Sequence, residues 1–122
     1  MTAQQRLLIV DDEPEFGEYV KRVAADLGFS VEVTHAASDF MELYRSFDPT
    51  VIVMDILMPQ MDGIELIQWL AGNDCTARVI LASGYNPRYA KAAETLAQEI
   101  GSLKVTTLQK PVRVPELRAA LS

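Results

Sequence analysis

Short apolar runs alternate along the chain with longer segments whose apolar residues recur at helical spacing. The runs predict five strands, at 7–10, 30–34, 51–54, 77–83 and 103–109. The longer segments predict five helices, at 14–28, 38–47, 63–72, 87–100 and 114–121. Strict alternation of strand and helix predicts an α/β fold, a doubly wound parallel sheet with helices on both faces.

Details of the pattern indicate where individual elements lie and end. The run at 51–54, VIVM, is the most apolar and is expected at the centre of the sheet. The run at 30–34, SVEVT, alternates between apolar and polar residues and is expected nearer an edge. Gly28 suits the end of the first helix, and Ser38 suits the N-cap of the second.

Length and composition narrow the classes of protein. The chain has 122 residues, 49% of them hydrophobic, which fits one domain spanning 1–122. The formal net charge of −6 disfavours direct binding to nucleic acid or to an anionic membrane surface. Cys75 is the single cysteine, so no intrachain disulfide can form, which fits a reducing cytoplasm.

Polar side chains follow four of the predicted strands at the point where each strand ends. Asp11 and Asp12 follow the first strand, Asp55 ends the third, Ser83 ends the fourth and Lys110 follows the fifth. Because ligands of open α/β sheets bind at the carboxyl ends of the strands, these groups are expected to form one site.

The residue types in this set suit phosphoryl chemistry. Clustered carboxylates raise one another's pKa unless a cation neutralises them, and Mg²⁺ prefers such oxygen ligands. A lysine and a hydroxyl could stabilise a bound phosphoryl group by charge and hydrogen bonding. Asp55 could then act as a nucleophile and become an acyl phosphate.

Each residue taken singly has a simpler explanation. Asp12 or Glu13 could cap the helix that follows, and Asp55 could end a strand and cap the next turn. Ser83 fits an ordinary loop, Lys110 could be a solvated surface residue, and His35 has no partner nearby in sequence. These explanations require four polar features to fall by coincidence at four strand ends.

Four motifs carry a family resemblance. They are IVDDE (9–13), VIVMDILMPQMDG (51–63), LASGY (81–85) and LQKP (108–111). With them, the chain resembles the receiver domain of two-component response regulators across nearly its whole length. The resemblance implies a flavodoxin-like sheet in the order 2-1-3-4-5, with Mg²⁺ as cofactor and a sensor histidine kinase as phosphodonor.

The resemblance also implies a role for each motif residue. Asp55 is expected to be the phosphoacceptor, Ser83 the switch hydroxyl, and Lys110 the lysine of the site, with a cis peptide bond to Pro111. The expected metal ligands are carboxylates and one backbone carbonyl, from Asp11, Asp12, Asp55 and Leu57.

Two positions depart from the family pattern. Thr107 stands where the family usually has the Tyr or Phe of its second switch position, three residues before the lysine. The usual coupling, in which an aromatic ring swings inward as the hydroxyl moves, is not expected here. Val112 stands where Phe is common, which alters packing and not chemistry.

The resemblance implies a switch that acts on a downstream protein partner or on an output domain of a longer chain, through the fourth helix, fifth strand and fifth helix. A phosphorylation-dependent homodimer stays open. Turnover of external substrates is not expected, because haloacid-dehalogenase-like phosphatases carry a second Asp where this chain has Leu57. The other alternative is an unphosphorylated interaction module, which Thr107 favours and the intact site residues disfavour.

Overall fold

The computed structural model describes residues 4–56, 61, 63–84, 87–101 and 103–122. The strands are β1 (Arg6–Val10), β2 (Ser30–Thr34), β3 (Val51–Asp55), β4 (Arg78–Ser83) and β5 (Lys104–Gln109). The helices are α1 (Pro14–Asp26), α2 (Ala37–Phe47), α3 (Gly63–Gly72), α4 (Pro87–Ile100) and α5 (Val114–Leu121). Strand and helix alternate throughout, as the hydrophobic pattern predicts.

All five strands pair in parallel, in the order β2-β1-β3-β4-β5. The expected sheet order is therefore confirmed, with the most apolar strand, β3, at the centre and β2 at an edge. Every residue of β3 is buried, whereas β2 alternates between exposed and partly buried positions until its last residue, Thr34, which is buried. A strand covered on both faces must be apolar throughout, which is why β3 reads as a continuous hydrophobic run.

The sheet separates two hydrophobic clusters, one on each face. Successive residues of a strand point to opposite faces, so Leu7 and Leu8 enter different clusters. One cluster contains buried side chains of α1 and α5, such as Val20 and Leu117. The other contains side chains of α2, α3 and α4, such as Phe40. The arrangement is doubly wound and leaves the ends of the strands accessible.

Helix ends show where sequence patterns are and are not sufficient. Gly28 follows the end of α1 with φ of +91°, a conformation that glycine adopts without strain, as expected for a C-terminal stop. The prediction of Ser38 as the N-cap of α2 is wrong. The helix begins at Ala37, with Ala36 in the N-cap position and no side-chain capping bond.

A close backbone approach explains the glycine that begins α3. The Gly63 N–H donates a hydrogen bond of 2.6 Å to the carbonyl of Ile56, the residue just after β3. A Cβ at position 63 would lie only 2.9 Å from the Ile56 Cα, so a larger residue would push the two backbone segments apart.

Within the described residues, no helix is long and apolar enough to cross a membrane.

Candidate functional site

The expected polar side chains lie together at one edge of the sheet. They are placed there by the carboxyl ends of four strands, β1, β3, β4 and β5. Asp55 is the last residue of β3 and lies opposite Ala82 of β4, so Ser83 extends one residue beyond that pair. Ser83 in turn pairs with Gln109 of β5, which places Lys110 directly after it. The Lys110 N–H donates to the Ser83 carbonyl at 2.8 Å, which holds the end of β4 against the residue that follows β5.

Three carboxylates meet at this edge. Oxygen atoms of Asp11, Asp12 and Asp55 all lie within 4.8 Å of one another. Asp11 and Asp55 are buried, with relative exposures of 0% and 7%, whereas Asp12 is exposed. A set of carboxylate oxygens with one side open to water suits Mg²⁺, which binds few protein ligands and keeps several waters. The residues present therefore fit the ion that the sequence implies.

Lys110 is the cation of the cluster. Its Nζ lies 2.9 Å from Asp11 Oδ2, 3.2 Å from Glu13 Oε1 and 3.6 Å from Asp55 Oδ2. The Lys110 side chain is only 12% exposed, so these contacts are poorly screened by water. Lys110 is thus not a solvated surface lysine but part of a partly buried charge network.

Hydrogen bonds hold Asp11 on all sides. Its N–H donates to the Thr34 carbonyl at 3.1 Å, and its Oδ1 accepts from the Glu13 N–H at 2.8 Å. Its carbonyl oxygen lies 3.0 Å from Nδ1 of His35. Because Oδ2 is bonded to Lys110, the carboxylate has one fixed orientation relative to Asp55.

The residues before α1 take a different role from simple helix capping. Glu13 occupies the N-cap position, but its side chain makes no capping bond and contacts Lys110 instead. The N–H of Glu13 is bonded by the side chain of Asp11. The interpretation of Glu13 as a side-chain cap is therefore wrong, because its carboxylate is drawn to the lysine.

Burial and charge shift two pKa values in the network. Burial raises the pKa of the Asp11 carboxyl, although the hydrogen bonds from Glu13 and Lys110 oppose this shift. Burial alone would lower the pKa of the Lys110 ammonium, but the hydrogen bond and charge of Asp11 and the charge of Asp55 outweigh it, so that pKa is raised. Lys110 is therefore charged at neutral pH, facing an excess of carboxylate.

Three contacts of the network were not predicted from the sequence. Glu13 contacts Lys110, His35 contacts the Asp11 backbone, and Lys110 Nζ lies 4.3 Å from the centre of the Phe16 ring. Glu13 and Phe16 lie close to the acidic pair along the chain, but no local pattern identifies their contact with Lys110. His35 has no partner nearby in sequence, and its contact is with a backbone carbonyl 24 residues away along the chain.

Several expected features lie outside the described residues. Among them are the backbone carbonyl of Leu57, most of the MPQMD stretch after it, and Tyr85. The expected cis peptide bond between Lys110 and Pro111 is confirmed. Thr107 is partly buried in β5 opposite Leu81, and Val112 is buried.

Comparison with known families shows the family to which the chain belongs. The sequence model of the response regulator receiver domain matches residues 7–122. The chain belongs to the response regulator receiver family. Receivers are signalling domains of two-component systems, not enzymes that turn over an external substrate, and histidine kinases phosphorylate them. They typically bind Mg²⁺ at an acidic cluster of the kind formed here by Asp11, Asp12 and Asp55.

Two relatives of the chain are longer proteins. It is 34% identical over 85 residues to the regulatory protein AtoC of Escherichia coli, covering 70% of this chain and 18% of AtoC. It is 26% identical over 119 residues to the response regulator MprA of Mycobacterium tuberculosis, covering 95% of this chain and 48% of MprA. The chain thus spans less than half the length of these two relatives.

A solved structure agrees over almost the whole receiver. The crystal structure of a response regulator from Colwellia psychrerythraea has a TM-score of 0.82 and 34% identity. The match covers 98% of this chain and 94% of that one. Full-length FixJ from B. japonicum has a TM-score of 0.85 at 22% identity, covering 98% of this chain and 57% of FixJ, which shows the shared fold.

Proposed function

We propose that residues 1–122 form a single receiver domain whose Asp55 accepts a phosphoryl group from a sensor histidine kinase in the cytoplasm. The observation that carries the proposal is the position of Asp55. Its carboxylate ends the central strand, lies 3.6 Å from the Lys110 ammonium and belongs to a cluster of three carboxylates within 4.8 Å. The metal ligands are the carboxylates of Asp11, Asp12 and Asp55, together with the backbone carbonyl of Leu57.

The transfer is an attack by Asp55 on the phosphorus of the phosphohistidine. The new O–P bond forms as the P–N bond to the donor imidazole breaks, and the electron pair of that bond stays on the imidazole nitrogen, which takes up a proton. Bound Mg²⁺ would neutralise oxygen charge on the transferring group. The contribution of the protein is to orient the Asp55 oxygens and to hold fixed positive charge beside them.

Lys110 and Ser83 respond to the modified carboxylate. Phosphorylation attaches to a carboxylate oxygen of Asp55 a group that carries about two negative charges and strong acceptor oxygens. Lys110, already 3.6 Å from Asp55, is drawn toward the phosphoryl oxygens, and the Ser83 hydroxyl donates a hydrogen bond to one of them. Because Ser83 ends β4 and Lys110 follows β5, both movements act on the same side of the sheet.

The output surface is the face formed by α4, β5 and α5. A switch of this kind biases an equilibrium between two conformations, and the bound partner must bind one of them more tightly. Thr107 carries no aromatic ring, so the readout depends on the movement of the backbone near Ser83 and Lys110. The downstream partner is a separate protein or an output domain of a longer chain, and phosphorylation-dependent pairing of two receivers is one form of output.

Loss of the phosphoryl group is proposed to be assisted by the same site and to occur without turnover of an external substrate. Water attacking the phosphorus would regenerate the Asp55 carboxylate and release inorganic phosphate. Leu57 supplies no carboxylate that could act as a general acid two residues after the nucleophile, which is the arrangement of the haloacid-dehalogenase-like phosphatases. The phosphoprotein is therefore a signalling state and not a step in catalysis of another reaction.

Intact-protein mass spectrometry after incubation with a small-molecule phosphodonor and Mg²⁺ tests the proposal. The unmodified chain is expected to gain one phosphoryl group, and Asp55→Asn is expected to gain none. Removal of Mg²⁺ with a chelator before the donor is added should abolish the gain.

The contrary results are equally distinct. A phosphoryl adduct that persists in Asp55→Asn would move the phosphoacceptor to another residue. The absence of any adduct on the unmodified chain, under conditions that modify a known receiver in parallel, would indicate an interaction module that works without phosphorylation.

A further inference from the structure

The first turns of α1 place two aromatic side chains against the loop that follows β5. Lys110 Nζ lies 4.3 Å from the centre of the Phe16 ring. The Tyr19 hydroxyl donates a hydrogen bond of 2.8 Å to the carbonyl of Val112. The two rings are three residues apart on one helix face, with centroids 6.3 Å from each other. Two separate contacts therefore connect α1 to the short segment 110–112.

The Phe16 contact completes the surroundings of the Lys110 ammonium. Carboxylates of Asp11, Glu13 and Asp55 lie 2.9, 3.2 and 3.6 Å from Nζ. A lysine carries its charge on a flexible four-carbon stem, so charge alone does not select one position among several carboxylates. An aromatic face within about 6 Å attracts the ammonium and also restricts where its stem can lie. The side chain is 12% exposed, which strengthens such a contact.

The segment after β5 does not supply this restraint itself. Residues 110–113 are Lys-Pro-Val-Arg, without an aromatic ring. The Tyr19 hydrogen bond instead fixes the Val112 backbone, and Val112 is buried against the cluster that contains α1 and α5. Phe16 and Tyr19 thus act on the same segment at two points, one on the side chain of Lys110 and one on the main chain two residues later.

We propose that Phe16 is a positioning residue for Lys110 and that its ring keeps the ammonium beside Asp11 and Asp55. The hydrogen bond from Tyr19 to Val112 holds α1 against the segment 110–112 and so keeps the ring in place. The position of the ammonium is a property of the unphosphorylated chain. Its consequence for phosphoryl transfer rests on the function proposed above. Phe16 touches no reacting atom and acts only through Lys110.

Nuclear magnetic resonance of the lysine side chains tests the position without any phosphodonor. The Lys110 Hε protons should be shifted upfield by the ring current of Phe16, relative to those of Lys21, Lys91 and Lys104. The shift should disappear in Phe16→Leu and persist in Phe16→Tyr, which keeps the ring face. Phe16 and Tyr19 line a groove of about 520 Å³, so Phe16 borders open space.

Phosphorylation rates test the consequence. Phe16→Leu should react with a small-molecule donor about threefold to tenfold more slowly than the unmodified chain, and Phe16→Tyr should recover most of the rate. Phe29→Leu is the matched control, since Phe29 is also a partly buried aromatic residue, packed against the cluster that contains α1 and α5 but not against Lys110. A general loss of packing would slow both leucine variants, whereas a positioning role slows only Phe16→Leu.

The outcomes separate this inference from the function on which it rests. An unshifted Lys110 resonance in the folded protein would overturn the positioning role, and so would equal rates for Phe16→Leu and the unmodified chain. Equal slowing in Phe16→Tyr and Phe16→Leu would also overturn it, because the ring would then matter only as volume. A shifted resonance in a chain that never becomes phosphorylated would retain the positioning role and reject the proposed function.

Discussion

The two ends of the parallel sheet differ in how their partly buried basic side chains are bonded. At the amino end, Arg6 and Arg78 bond mainly to the backbone, and Arg78 donates to the carbonyls of Ala120 and Leu121, both at 3.2 Å. Thr50 there accepts from the N–H of Arg6 at 2.9 Å. At the carboxyl end, charged side chains bond to one another, with Lys110 between the carboxylates of Asp11 and Asp55.

The difference separates stability from function. Bonds from side chains to otherwise unpaired carbonyls satisfy groups that every fold must satisfy, and their gain is present without a ligand. A cluster of three carboxylates beside one lysine keeps an excess of negative charge, which costs stability until a cation binds. Substitutions at the amino end should therefore change unfolding and spare phosphorylation, whereas substitutions at the carboxyl end should change phosphorylation.

Among variants that keep Asp55, the largest effect is expected from Lys110→Met. It removes the positive charge beside Asp55 and keeps a stem of similar length, so the rate of phosphorylation should fall on the order of a hundredfold. The rate of adduct formation, followed by intact mass at fixed Mg²⁺ and donor concentration, is the measurement. Arg6→Met, which removes a cation at the amino end, should react at the unmodified rate. Equal losses in both variants would mean that net charge, and not position, sets the rate.

Magnesium should stabilise the fold through the carboxyl end alone. An ion that binds only the folded chain raises the free energy of unfolding by about 2.7 kcal/mol at one hundred times its dissociation constant. Asp12→Asn should lose most of this gain, because Asp12 is the exposed carboxylate of the cluster. Urea unfolding with and without Mg²⁺ measures the gain, and Arg78→Met should retain it in full. An undiminished gain in Asp12→Asn would remove Asp12 from the ligand set.

Arg78→Met should show the converse behaviour. The variant leaves the last carbonyls of α5 without the guanidinium donor, which should lower the free energy of unfolding by about 1–2 kcal/mol. Because Arg78 begins β4 and lies a full strand length from Ser83, phosphorylation should proceed at the unmodified rate. Urea unfolding and the mass assay are made on the same preparation. A slowed phosphorylation with unchanged stability would show that the two ends of the sheet are coupled.

Sequence patterns were sufficient for the elements and for the edge at which the site lies. Short apolar runs and segments of 3.6-residue period identified all ten elements, because burial on both faces makes a strand apolar throughout and burial on one face gives a helix that period. In a parallel sheet the carboxyl ends of all strands lie at the same edge. Asp11, Asp55, Ser83 and Lys110 could therefore be assigned to one site from the sequence alone. Capping was less predictable: Ser38 suits an N-cap by type, but the backbone turns into α2 at Ala36.

The partners within the site could not be predicted from the sequence. Lys110 lies nearest to Asp11, which is 99 residues away along the chain, and not to the expected phosphoacceptor Asp55. Its contacts with Glu13 and Phe16 depend on the rotation of α1 about its axis, which the hydrophobic pattern fixes only approximately. The contact between His35 and Asp11 likewise requires the register of β1 against β2.

The smallest effect is expected for an ion pair between two helices at the solvent-exposed surface. Arg118 of α5 and Asp26 of α1 approach to 3.1 Å, but their side chains are 47% and 72% exposed. Water screens such a pair, and ordering the long Arg118 side chain offsets much of the attraction, so Arg118→Gln should change the free energy of unfolding by less than about 0.5 kcal/mol. A double-mutant cycle with Asp26→Asn isolates the pair from other effects of either residue.

Arg78 and Arg118 are both arginines that connect α5 to the rest of the fold, but of the two only Arg78 donates to backbone carbonyls near the end of the helix. A coupling energy for Arg118 and Asp26 as large as the loss in Arg78→Met would show that charge pairing, and not the satisfaction of backbone groups, stabilises the amino end.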